Sequence, residues 1–147
     1  MSIALSNRGG ISTSVGVTTC FHPIYSVRER TIIGFEALSR GYAGISSEEI
    51  SPQELFRQAE EAGRLVELDR LCQETAAESF AALPAAMQES LLFLNVSAGL
   101  IERDIGEVDI LSQSLRKAAL SPDQIVLEIV ESKVEDINAL SFFVQYH

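Results

Sequence analysis

Two short stretches, Leu91–Val96 (LLFLNV) and Ile125–Val130 (IVLEIV), are apolar at all but one position each. Continuous apolar runs of strand length read as strands buried on both faces, which belong to sheets covered by helices. The intervals around them carry helix signals. Ser51-Pro52-Gln53-Glu54 offers a capping serine, a proline at the first helical position and an acid where a capping box places one. That helix should run to about residue 62 and stop at Gly63. Leu65, Leu68, Cys72, Ala76 and Phe80 recur at spacings of three and four, which predicts a second helix over 65–82 with one buried stripe, ended by Pro84. A short helix is expected after Ser97, a longer one over 108–119 before the Ser121-Pro122 break, and a last one over 135–146 with Ile137, Leu140 and Val144 on one face. Helices alternating with apolar strands predict parallel pairing.

The first part of the chain reads differently. Cys20–Val27 (CFHPIYSV) and Thr31–Ser39 (TIIGFEALS) are strand-length runs joined only by Arg28-Glu29-Arg30. A link this short predicts an antiparallel hairpin, because parallel strands need a long crossover. Pro23 confines its run to an edge or a bulge, and 40–50 reads as loop. The opening MSIALSNRGGISTSVGVTT is rich in Gly, Ser and Thr and lacks the apolar centre of a secretory signal. Residues 1–18 therefore read as a flexible leader or linker, and 19–147 as the folded part. A length of 147 residues suits one domain or one part of a larger one.

No run approaches the roughly 18 apolar residues of a membrane span. Cys20 and Cys72 form no C-x-x-C pair, which argues against a disulfide scaffold and against zinc. Reduced core cysteines in a cytoplasmic protein are the expectation. The net charge of −10 disfavours a nucleic acid polymer as partner. An anionic ligand would need a local positive device, such as a bound metal ion or a few placed arginines.

Each of the last three strands carries an oxygen donor in or beside its C-terminal half: Glu36, Asn95 and Glu128. A buried carboxylate without a counterion costs several kcal/mol. Ligand sites of parallel α/β folds lie at the C-terminal strand ends, so the three could converge there on a hard divalent cation. Alternatively each is satisfied separately, Glu36 by Arg40, Asn95 by backbone and Glu128 by an arginine. Spacing alone leaves both open.

The motifs FHPI, GFEALSR, AEEAGRLVELDR, LNVS and QIVLEIVES, in this order, resemble the N-terminal half of the EAL family. These are bacterial phosphodiesterases that cleave the second messenger cyclic di-GMP. The resemblance runs from about Phe21 to the end of the chain. It implies the first half of a (β/α)8 TIM-type barrel whose first strand is antiparallel to the rest. It implies Glu36, Asn95 and Glu128 as ligands of Mg2+ or Mn2+, and metal-assisted hydrolysis of one phosphodiester bond to the linear dinucleotide. Arg40 would contact a substrate phosphate, since a guanidinium fork matches phosphate oxygens. Leu38 and His22 would lie beside the substrate, although His22 stands where the family more usually has Gln. Glu36 and Glu131 would serve catalysis, Glu131 by steadying a neighbouring active-site loop. Asp69 and Arg70 match the family's LDR motif, with Asp69 expected to hold structure.

The family's later residues, an adjacent acidic pair on the fifth strand and then a lysine, a glutamate and a glutamine, have no counterpart in these 147 residues. Four strands cannot close an eight-stranded barrel and would leave open edges. Three expectations compete: a piece of a longer enzyme, a homodimer that assembles one barrel-like body from two halves, or a natural remnant. In the last case the chain acts as a partner-binding module; in the first, the longer protein is either the enzyme or a sensor that binds cyclic di-GMP without cutting it.

Overall fold

The computed structural model describes residues 2–6, 12–44, 48–97 and 107–130. Strands β1 (Ser2–Ser6), β2 (Ser12–Ser26) and β3 (Thr31–Ala43) form an antiparallel unit. The β2–β3 register runs from Val15↔Ala43 to Ser26↔Thr31, with a shift between Ile24 and Tyr25 just after Pro23. The expected hairpin is thus present, with Pro23 beside a bulge. At its turn Ser26 Oγ accepts from Glu29 N–H at 3.1 Å, and Arg30 adopts φ 54°.

The stretch expected to be a leader carries strands instead. Ile3, Leu5, Val15 and Val17 are buried with Leu55, Ala59, Leu68 and Cys72. A strand with one covered face needs an apolar residue only at every second position, so Ser, Gly and Thr can fill the rest. The stretch expected to be loop is also more ordered than its composition suggests. β3 continues to Ala43, and β4 (Glu48–Ile50) pairs antiparallel with its end.

Helix α1 (Pro52–Glu61) starts as its residues dictate. Ser51 Oγ accepts from Glu54 N–H at 3.3 Å, satisfying one of the free amides of the first turn. The Glu54 carboxylate does not reach back as a capping-box acid would. It accepts from Arg57 Nε and Gln58 Nε2, each at 2.7 Å. Gly63 takes φ +67° and ends the helix. Helix α2 (Leu65–Ala81) buries Leu68, Cys72, Ala76 and Phe80 as its periodicity predicts. Leu65 is only partly covered.

After α3 (Ala85–Gln88) come β5 (Leu91–Ser97), α4 (Glu107–Lys117), a 3₁₀ turn (Pro122–Gln124) and β6 (Ile125–Val130). β3, β5 and β6 pair in parallel, and the sheet order is β1-β2-β3-β5-β6 with β4 on β3. This is the α/β arrangement expected of the first half of a (β/α)8 barrel. The helices expected after Ser97 and over 135–146 lie outside the described residues.

The main core lies between the sheet and α2 and α4. It gathers Phe35, Ala37, Phe80, Leu92, Leu94 and Leu115. Phe80 meets Phe21 edge-on at 5.9 Å between ring centres. β5 is not buried on both faces: Leu92, Leu94 and Val96 are covered, while Phe93 and Asn95 are only partly so. No described helix is long and apolar enough to cross a membrane.

Candidate functional site

Strand alternation sorts the site residues before any contact is considered. On β3, Phe35 and Ala37 turn to the helices, so Glu36, Leu38 and Arg40 occupy the opposite face. On β5 the same rule sets Phe93 and Asn95 opposite Leu92 and Leu94. On β6, Ile125 and Leu127 pack on the helix-side core, which leaves Glu128 on the open face.

Register then brings these residues together. Asn95 is the direct partner of Glu128, and His22 the direct partner of Glu36. Asn95 Nδ2 donates to Glu36 Oε1 at 3.0 Å. Glu36 and Glu128 thus flank Asn95 on three neighbouring strands, Glu128 directly opposite and Glu36 diagonally, since the register partner of Glu36 is Phe93. All three are partly buried. The Glu128 side chain has no hydrogen bond or ion pair among the described residues. For these two partly buried carboxylates the partner among the described residues is a neutral amide, and hard oxygen donors suit a hard divalent ion. Among the described residues no three His, Cys, Asp or Glu side chains gather as a metal-binding group; the central member of this trio is an amide.

Arg40 is not the counterion of Glu36. Four residues along a strand set them about 13 Å apart, and among the described residues no ion pair joins them. Arg40 Nη1 instead donates to the Ser39 carbonyl at 2.9 Å, and Arg40 Nε lies 3.5 Å from Glu49 Oε1. Nothing in the local sequence marked Glu49 as this partner, because its segment read as loop. Leu38 lies partly buried between Glu36 and Arg40 along the face, and His22 is exposed. Glu131 lies outside the described residues.

Asp69 sits on the helix layer, buried, accepting from Gln73 Nε2 at 2.6 Å. This is the structural placement its motif implies. The cysteines divide. Cys72 is buried in the core, and Cys20 is exposed rather than a core residue. Burial pushes the Cys72 thiol up to about 11; the Asp69 charge adds to the rise and a hydrogen bond with Ser39 opposes it.

The EAL domain model matches residues 10–146. This chain belongs to the EAL domain family. Among solved structures it is similar to the PaMucR phosphodiesterase in complex with c-di-GMP (23% identity, TM-score 0.69, covering 87% of this chain and 51% of that one). It is also similar to Klebsiella pneumoniae BlrP1 in a manganese and c-di-GMP complex (22%, TM-score 0.71, 99% and 34%). A third is the Bacillus subtilis YkuI protein, with an EAL domain, in complex with substrate c-di-GMP and calcium (27%, TM-score 0.67, 88% and 32%). The first two likenesses carry the fold alone. The chain spans about half or less of the length of these structures. No curated protein matches it.

Proposed function

We propose that this chain supplies the first part of a cyclic di-GMP phosphodiesterase site. Glu36, Asn95 and Glu128 would hold a divalent cation, Mg2+ or Mn2+, and Arg40 would contact a phosphate. The observation that carries this reading is the 3.0 Å bond from Asn95 to Glu36, joined to the Asn95↔Glu128 register. Together they align three oxygen-bearing side chains on one face. The divalent ions in complexes of similar proteins support a metal requirement in general.

A bound divalent ion supplies positive charge against the phosphate and a more acidic water. The chain's own residues do the rest. Asn95 fixes the orientation of Glu36 by donating to one of its oxygens. Arg40 presents a guanidinium from the same strand. It offers positive charge to an anionic ligand on a chain whose net charge is −10. Leu38 gives a base an apolar surface between the two, and His22 an exposed ring nitrogen beside Glu36. Glu131 is assigned to steadying a loop by the family resemblance. A cytoplasmic setting is consistent with two free thiols.

The test has two parts. Mn2+ binding to the full chain is measured by electron paramagnetic resonance. Turnover of cyclic di-GMP to the linear dinucleotide is followed by chromatography. Glu36→Gln should weaken Mn2+ binding at least about tenfold, the loss of one charged ligand contact, with an unchanged circular dichroism spectrum. Undiminished Mn2+ binding in that variant removes Glu36 from the ligand set. Nucleotide binding without product assigns the chain to a sensor instead.

A further inference from the structure

Glu49 lies against Nε, one of the donors that the Arg40 guanidinium can offer an anion. The Arg40 side chain is largely sheltered, 23% exposed, whereas its carboxylate partner on β4 is 57% exposed. β4 is held in place by backbone pairing, Gly41↔Ile50, Tyr42↔Glu49 and Ala43↔Glu48. The Glu49 side chain can therefore leave Arg40 without disturbing the strand that carries it. Its contact to Nε, at 3.5 Å, lies at the long end of an ion pair.

We propose that Glu49 is a built-in competitor for the anion position on Arg40. It holds the guanidinium at the end of β3 until a phosphate oxygen displaces it, and then turns to solvent. This rests on the reading of Arg40 as the phosphate contact. A carboxylate and a phosphodiester each present negatively charged oxygens at the spacing of a guanidinium edge, so both cannot occupy the same edge. An exposed pair is weak and yields to a ligand with further anchors. An anion that meets Arg40 alone gains little by replacing Glu49. The competitor thus favours ligands also held near Glu36, about 13 Å away along the strand.

The experiment titrates cyclic di-GMP into the full chain, with Ca2+ present, for wild type, Glu49→Gln, Arg40→Ala and the double variant. Glu49→Gln should tighten binding about three- to fivefold, the range an exposed ion pair covers. Arg40→Ala should weaken it, and adding Glu49→Gln to Arg40→Ala should change nothing further, because the effect runs through the guanidinium. Without ligand, the Arg40 Nε–H proton should exchange faster in Glu49→Gln. Equal or weaker binding in Glu49→Gln, or an unchanged exchange rate, overturns the inference and leaves Arg40 as phosphate contact. Absence of binding in every protein overturns that reading and this inference together.

Discussion

On β3, Phe35 and Ala37 are buried against the helix layer, while Glu36 between them is only partly covered. On β5 the same division separates Leu92 and Leu94 from Phe93 and Asn95. The two faces of one sheet are built from the same strands, residue by alternate residue, and carry different burdens. The helix face is a closed apolar core. The open face gathers an acid, an amide and a second acid side by side. Period-two alternation lets a strand contribute to stability and to chemistry at once, because neighbouring residues never compete for the same surface. Substitutions on the two faces should therefore fail in different ways.

The largest expected effect tests that division directly. Phe80 is fully buried and meets both Phe21 and Phe35, at 5.9 and 6.5 Å between ring centres. Phe80→Ala should lower unfolding free energy in urea by about 3–5 kcal/mol, the cost of a lost aromatic and its cavity. Glu36→Gln keeps its size and an oxygen for Asn95, and should change stability by less than about 1 kcal/mol. If Glu36→Gln destabilises as much as Phe80→Ala, the separation of the two faces does not hold.

A smaller effect concerns the tight packing at Gly34 on the open face. A Cβ added at Gly34 would meet Phe93 Cε2 at 2.5 Å and the Leu91 carbonyl oxygen at 2.6 Å. The ring can turn, but the carbonyl belongs to the paired backbone of β5, where the β3–β5 register begins at Gly34↔Leu91. Gly34→Ala should cost about 1–3 kcal/mol, as overpacking does, measured by the same urea titration. A neutral result would show that the two strands separate freely beneath Glu36.

The legibility of these features follows their range. The α1 start was readable because Ser51, Pro52 and Glu54 act within one turn. The parallel order of β3, β5 and β6 was readable because apolar strands alternated with periodic helices. The meeting of Glu36 with Asn95 spans 59 residues; spacing alone left it open, and only the motif resemblance pointed to it. Strand β1 and the first residues of β2, 12–18, were hidden because two buried residues in five suffice for a one-sided strand, and Ser, Gly and Thr masked them. The Arg40–Glu49 contact depends on β4, three residues long, too short to display any period. Cys20 was misplaced for a related reason. A strand's composition does not say which parity faces the core, and only the Cys20↔Leu38 register sets it beside the open face.

That misplacement yields the finest test of the two faces, because each holds one thiol. Cys20 is exposed and Cys72 buried. A small alkylating reagent should modify Cys20 in the native protein and Cys72 only after unfolding, as mass spectrometry of the labelled peptides would record. Titration gives the same contrast in energy. Burial raises the folded Cys72 thiol from 9.0 to about 11, so the unfolded chain releases this proton first. The contribution is fully present below pH 9 and is lost as pH rises toward 11, about 1–2 kcal/mol by pH 10. Cys72→Ala should remove that part of the alkaline decline, leaving a shallower fall in urea stability between pH 8 and 10 than wild type shows. Equal labelling of both thiols in the native state, or identical pH slopes, would mean that the helix face is open to water at Cys72. The contrast between the faces would then be one of residue type and no longer one of exposure.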